Sequence, residues 1–186
     1  CEEYSDINPI HSSPPIFDDI TESDLQQLAH LFHFSYNEPT DDKIVYPIEG
    51  VVYGNNRRII FPLIVSHSGH RIKTLFLYDT SSPFSYLSES TLKAMNIEDL
   101  VLNSMNLAVQ GDLVTVHPSL SYFLHMNIIG QEFFRGLKAL VAIDYHKLKA
   151  KIFLLSNAQE ELETKSTSSS PPTSATSPTS TSTSHH

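Results

Sequence analysis

The chain has 186 residues, enough for one domain of ordinary size. Its formal net charge of −9 is unevenly placed: residues 1–43 hold ten Asp/Glu against one Lys, residues 44–155 ten Lys/Arg against eight Asp/Glu, and residues 156–186 three Glu against one Lys. The near-neutral middle lacks the Lys/Arg stripe that phosphate neutralisation requires, which argues against a nucleic-acid partner. No apolar run approaches the roughly 20 residues of a membrane span, so no membrane partner is expected. Cys1, the one cysteine, excludes an intrachain disulfide and a Cys-based zinc site. The chain opens on Cys1 without a signal-peptide pattern and reads as a fragment or processed product.

Residues 1–43 form an acidic N-terminal flank, irregular up to about residue 20. Thr21-Glu22-Ser23-Asp24 then has the capping-box arrangement, and Leu25, Leu28, Leu31 and Phe32 recur at helical spacing. These signals predict a helix near 22–34 that ends before Pro39 and docks its apolar stripe on the main domain. From Ile44 to Leu155 the chain is mostly strand. Ile44–Tyr53 and Arg58–Val65 are rich in β-branched and aromatic residues and flank a hairpin signal, Gly54-Asn55-Asn56. Ser66–Gly69 turns the chain into Ile72–Tyr78. A short segment around Phe84–Leu87 follows, then a helical turn over Ser88–Met95 with Ser88 as N-cap and Glu89 and Glu98 framing it. Further short strands fit 107–110, 113–117, 120–125, 139–145 and 150–155, with a helical turn near 132–136. The run Lys147-Leu148-Lys149-Ala150-Lys151 reads as the solvated side of a hairpin. Residues 156–186 are dominated by Ser, Thr and Pro and read as a disordered tail.

Two short segments carry the chemistry. Thr74-Leu75-Phe76-Leu77-Tyr78 is an apolar strand closed by Asp79-Thr80-Ser81-Ser82, which sets a carboxylate at a strand-to-loop corner where backbone N–H groups and hydroxyls can hold it. Asn127-Ile128-Ile129-Gly130, whose glycine lies 51 positions beyond Asp79, is an apolar strand ending in a residue with no Cβ, able to lie against that corner. No other acidic residue follows an apolar strand and precedes small hydroxyl residues, so a paired-carboxylate site needs two copies of the chain. Two carboxylates a few Å apart cannot both ionise; they share a proton and divide base and acid roles around one water.

Leu77–Ser88 resembles the active-site segment of the retroviral-type aspartic proteases, the retropepsins, and Asn127–Phe134 resembles that family's second signature. The resemblance covers residues 44–155. It implies a mostly β fold, a small closed antiparallel barrel of retropepsin type with one or two short helices, to which the N-terminal helix is added. It implies a homodimeric endopeptidase acting on a polypeptide, without a cofactor. Asp79 is the implied catalytic carboxylate; Thr80 joins the two loops across the dimer axis; Ser81 stands where the family most often has Gly. The implied flap over bound peptide is Leu107–Val114, with Gln110, Gly111 and Asp112 as substrate-binding residues beside Ile128 and Ile129, and Gly130 as a structural residue. A polyprotein or retrotransposon context, or a cellular protein that kept such a domain, fits a domain with tethers at both ends.

Other readings stay open. Ser81 and the single glycine of the 107–114 segment fit a non-catalytic dimerisation or peptide-binding module, and an unrelated β-barrel ligand binder would not require a dimer. The pairs His67/His70 and His30/His33 have spacings a metal could use, but no third ligand is indicated and none is expected. Neither a Gly-x-Ser-x-Gly elbow nor a Gly-rich phosphate loop is present.

Overall fold

The computed structural model describes residues 19–97, 103–119 and 123–155; the predicted Ser/Thr/Pro tail, the irregular residues 1–18, Glu98 and the start of the predicted 120–125 strand lie outside them. Helix α1 (Glu22–Leu31) begins at the predicted cap: Thr21 Oγ1 accepts the Asp24 N–H at 3.2 Å while Asp24 Oδ2 accepts the Thr21 N–H at 2.8 Å. It ends earlier than the 22–34 reading because His33 takes a left-handed conformation, φ 63. Ten strands and two further helices follow: β1 (Glu38–Pro39), β2 (Ile48–Tyr53), β3 (Arg58–His67), β4 (His70–Tyr78), β5 (Ser85–Leu87), α2 (Glu89–Ala94), β6 (Met105–Val109), β7 (Asp112–Pro118), β8 (Asn127–Ile129), α3 (Gln131–Leu137), β9 (Ala139–Asp144) and β10 (Lys149–Leu154). Ser88 caps α2 as predicted, its hydroxyl accepting the Thr91 N–H. Residues 44–47 are not strand. Phe123–His125, predicted as strand, form a turn closed by the Met126 N–H on the Phe123 carbonyl at 3.0 Å.

Six strands close into a barrel in the order β3, β4, β8, β5, β7, β6 and back to β3. The fold is mostly β with few short helices, as the sequence predicts, but the barrel is mixed: β4 pairs parallel with β8, and β5 parallel with β7. The ten-residue β3 offers one full edge to β4 and divides the other, pairing with β2 through residues 58–60 and with β6 through Val65 and Ser66. From that divided edge β2, β10 and β9 leave the barrel as an antiparallel blade, with β9 at its outer end.

The alternation of strand side chains separates two cores. Phe61, Leu63, Val65, Phe76, Leu87, Leu107, Val109, Val116 and Ile129 fill the barrel. On the outer face of β3 and β4, Ile60, Leu75 and Leu77 meet Leu25, Leu28 and Ala29 of α1, so the predicted helix stripe does dock on the barrel. A buried polar network fastens the arm after α1. Asn127 donates through Nδ2 to Thr74 Oγ1 and the Leu75 carbonyl, both at 3.0 Å, and accepts the Ser88 N–H at 2.9 Å. Thr74 and Thr91 in turn donate to Asn37 Oδ1 at 2.5 and 3.0 Å. Each member is satisfied only while the arm, β4, α2 and β8 stay together, and an unpaired buried group costs about 1–3 kcal/mol.

Three surface carboxylates of the flank, Asp19, Asp24 and Asp42, tie it to the strands. Burial pushes the Asp19 carboxyl up, but hydrogen bonds from Arg58 and Asn56 and the Arg58 charge outweigh this and hold it below the ordinary 3.8. Hydrogen bonds from Thr21 do the same for Asp24, and the Lys73 ammonium for Asp42. Depressed folded values mean stability that is present above the ordinary value and lost as pH falls through the folded ones. The melting temperature followed from neutral pH downward is expected to drop mainly below about pH 4. The doubly substituted chain, Asp19→Asn with Asp24→Asn, should show a shallower drop; a slope equal to the parent's would remove these contacts as contributors.

Candidate active site

Tyr78 ends β4 with its ring packed between Phe61 and Phe134, centroids 6.4 and 4.6 Å away. In the parallel register Tyr78 lies opposite Ile129, and the next residue, Asp79, donates its N–H to the Ile129 carbonyl at 3.2 Å. Asp79 and Gly130 therefore leave paired strands at the same end. Asp79 Oδ1 accepts the Ser81 N–H at 2.9 Å and the Ser81 hydroxyl at 2.7 Å. This is the turn that a short acidic side chain forms with the backbone two residues on. Oδ2 has no hydrogen bond among the described residues. Thr80 and Ser81 are exposed, and the Thr80 hydroxyl has no partner among the described residues either.

The second segment clasps this loop from one side. The first N–H groups of a helix have no partner within it, and those of α3 go to the loop: Gln131 N–H to the Ser82 carbonyl at 2.9 Å and Glu132 N–H to the Pro83 carbonyl at 3.2 Å. The Gln131 side-chain amide donates to the Thr80 carbonyl, and the Gly130 N–H donates to Ser85 Oγ at 3.2 Å. The approach is close enough that a Cβ on Gly130 would stand 2.2 Å from the Phe84 carbonyl oxygen and 2.8 Å from that of Ser82. Glycine is required here by contact, since the φ of −97° suits any residue.

The structure brings Asp79, Thr80, Ser81 and Gly130 together and divides the remaining predicted residues. Ile129 points into the barrel core, and Ile128, also buried, faces the other way and pairs with Tyr86 of β5. Gln110, Gly111 and Asp112 lie elsewhere. The 107–114 segment is tied to the barrel on one side: β6 pairs with β3 through Ala108 and Val109, whereas β7 meets β5 only from Val116 to Pro118, so the outer edge of residues 112–114 has no strand partner among the described residues. Its tip, a turn with positive φ at Gln110 and Gly111, donates the Gln110 N–H to the Ile64 carbonyl at 2.8 Å. Ile64 pairs with Lys73, six residues before Asp79 and thus on the order of 20 Å along the strand. Sequence reasoning missed Gln131 and Ser85; the one available signal for Gln131 was its position at the first turn of a helix beginning on Gly130.

A groove of about 710 Å³, lined by Phe32, Val51, Ala142, Lys149 and Phe153 among others, lies over β2, β10 and β9 rather than at Asp79. Its carboxylates, Glu49 and Asp144, pair with Lys151 and Lys147, so it presents no free acid for chemistry. No three His, Cys, Asp or Glu among the described residues converge as metal ligands.

Gly130→Val is expected to lower stability by at least the roughly 1–3 kcal/mol of an overpacked core, because the obstacles are backbone atoms that cannot rotate away. Gly130→Ala should already show much of this loss. Denaturant unfolding checks both; a Gly130→Val chain as stable as the parent would mean that Gly130 and the Ser82–Phe84 backbone do not meet.

No protein-family model and no curated protein matches the chain. Among solved structures it is similar at the level of fold to the crystal structure of a retropepsin-like aspartic protease from Rickettsia conorii. The match has 15% identity and a TM-score of 0.39, and covers 56% of this chain and 88% of that one. So distant a likeness leaves the functional reading to the geometry of the Asp79 corner itself.

Proposed function

We propose that the chain is one half of a homodimeric aspartic endopeptidase, in which Asp79 from each copy supplies one carboxylate of a water-activating pair. The observation that carries this reading is the Asp79 corner: one carboxylate oxygen held by Ser81, the other open, on a loop clamped by Gly130 and Gln131. A fixed carboxylate with one free oxygen suits a shared proton and a bound water, and positioning of this kind is what general acid–base catalysis requires. The exposed Thr80 hydroxyl is available to the partner loop. The outer strand β9 supplies a pairing edge: Ala139–Asp144 carries one charge in six residues, and Leu140 on its outward side is 48% exposed. An apolar strand with an open edge is a template for another strand, here that of a second copy.

In this mechanism the pair holds one proton. The ionised carboxylate takes a proton from the water as it attacks the peptide carbonyl, and the protonated one supports the developing oxyanion and then the leaving amine. No covalent intermediate forms. A second reading, a dimerisation or peptide-binding module without turnover, is favoured by one observation: the tip of the hairpin between the two signatures is tied to β3 by the Gln110 N–H on the Ile64 carbonyl, at a level about 20 Å along the strands from Asp79.

Asp79→Asn is expected to abolish peptide cleavage while leaving the melting temperature and the dimer unchanged, since it keeps the shape and removes the shared proton. Equal cleavage by parent and Asp79→Asn chains overturns the catalytic reading. Sedimentation equilibrium tests assembly separately: Leu140→Lys with Ala142→Lys, which sets charge on the β9 edge, should shift the chain toward monomer. A parent that stays monomeric at about 50 µM would exclude a working pair at that concentration.

A further inference from the structure

We infer that Phe84, Tyr86 and His117 form a subsite for an aromatic side chain of an extended peptide lying across the Asp79 corner. The inference rests on the reading of that corner as a peptide-cleaving or peptide-binding centre. Alternation on β5 turns Ser85 and Leu87 inward, where both are fully buried, and leaves Tyr86 on the opposite face, with the exposed Phe84 directly before the strand. The parallel register sets Tyr86 opposite His117 of β7. The three rings touch in a row, with centroids 5.1 Å apart for Phe84 and His117 and 5.6 Å for Tyr86 and His117. The planes are tilted by 59° and 39°; Tyr86 also packs edge-on with Phe123, centroids 5.2 Å apart, and Phe84 is the exposed ring of the row available to a further ring.

Single exposed apolar residues are ordinary, and three features set this row apart. Phe84 is 45% exposed yet held rigidly: its carbonyl accepts the Ser82 hydroxyl at 2.7 Å and stands against Gly130. His117 Nδ1 lies 2.7 Å from the Asn103 carbonyl, which can only accept, so Nδ1 carries the proton and the ring is fixed. The row also lies beside the corner. Strands β4, β8 and β5 are successive neighbours, and Asp79 directly follows β4 while Phe84 directly precedes β5, which sets the two about 10 Å apart across the sheet, the length of about three residues of extended chain. A peptide centred on Asp79 thus brings a side chain two or three residues from its centre over Phe84, where a preorganised aromatic surface gains by stacking without ordering a flexible group.

The test uses the full chain carrying Asp79→Asn, titrated by fluorescence anisotropy with labelled peptides that differ at one position, Phe, Tyr, Leu, Asp or Lys. The Phe and Tyr peptides are expected to bind roughly three- to tenfold tighter than the Asp peptide, the range an aromatic pair supplies. Phe84→Ala should erase that difference while leaving the Asp peptide's affinity unchanged, and a half-exposed side chain can be removed without unfolding the barrel. If Phe84→Ala and His117→Ala both keep the aromatic preference, the subsite is overturned and the peptide reading of Asp79 stands. If no peptide binds any of these chains, the reading of the corner falls and the subsite with it.

Discussion

The parallel pairing of β4 with β8 is the constraint on which the rest of the arrangement depends. Parallel strands end at the same side of a sheet, so the register that puts Tyr78 beside Ile129 also puts Asp79 beside Gly130. An antiparallel pairing of the same segments would have set Asp79 near Asn127 and sent the glycine to the opposite rim. Closing so long a loop costs little more than closing a short one, and buried Phe76, Leu77, Ile128 and Ile129 offset that cost. The two ends of the short β8 then do different things. Asn127 at its start gathers the buried polar network that holds the arm, and Gly130 at its finish admits the loop.

The corner is rigid on one side and open on the other. Loop carbonyls at Thr80, Ser82 and Pro83 meet donors from the start of α3, and Oδ1 of Asp79 is held by Ser81, while Oδ2 and the Thr80 hydroxyl have no partner among the described residues. On the proposed reading such a site needs a second group, because a lone carboxylate offers no division between acid and base. That reading therefore passes through assembly, for which β9, the outermost strand of the blade, offers an edge.

The acidic flank is more than a tether from Asp19 onward. α1 covers the outer face of β3 and β4, and Asn37 reaches the network centred on Asn127, one residue from Ile128. Strain or loss of contact in the arm would reach the corner through β8, since only Ile128 and Ile129 separate Asn127 of the network from Gly130. Coupling of this sort needs nothing beyond a short, fully buried strand.

Much of the fold was legible because its signals are local. The capping box at Thr21, Ser88 as a helix cap, the Gly54-Asn55-Asn56 turn and the β-branched runs each act over a few residues, and each element they predict is present. Asp79 and Gly130 were legible for the same reason: an acid at a strand end and a glycine at another are properties of their own segments. Period-two alternation states which face a residue takes but says nothing of which strand lies alongside. Tertiary structure alone decided that β4 and β8 run parallel, that the 107–114 hairpin is tied to β3 near its tip, that Asn127 is a polar hub, and that Phe84, Tyr86 and His117 share a surface. All four depend on hydrogen-bond partners far apart in the chain, chosen by which edges remain free once the core is filled.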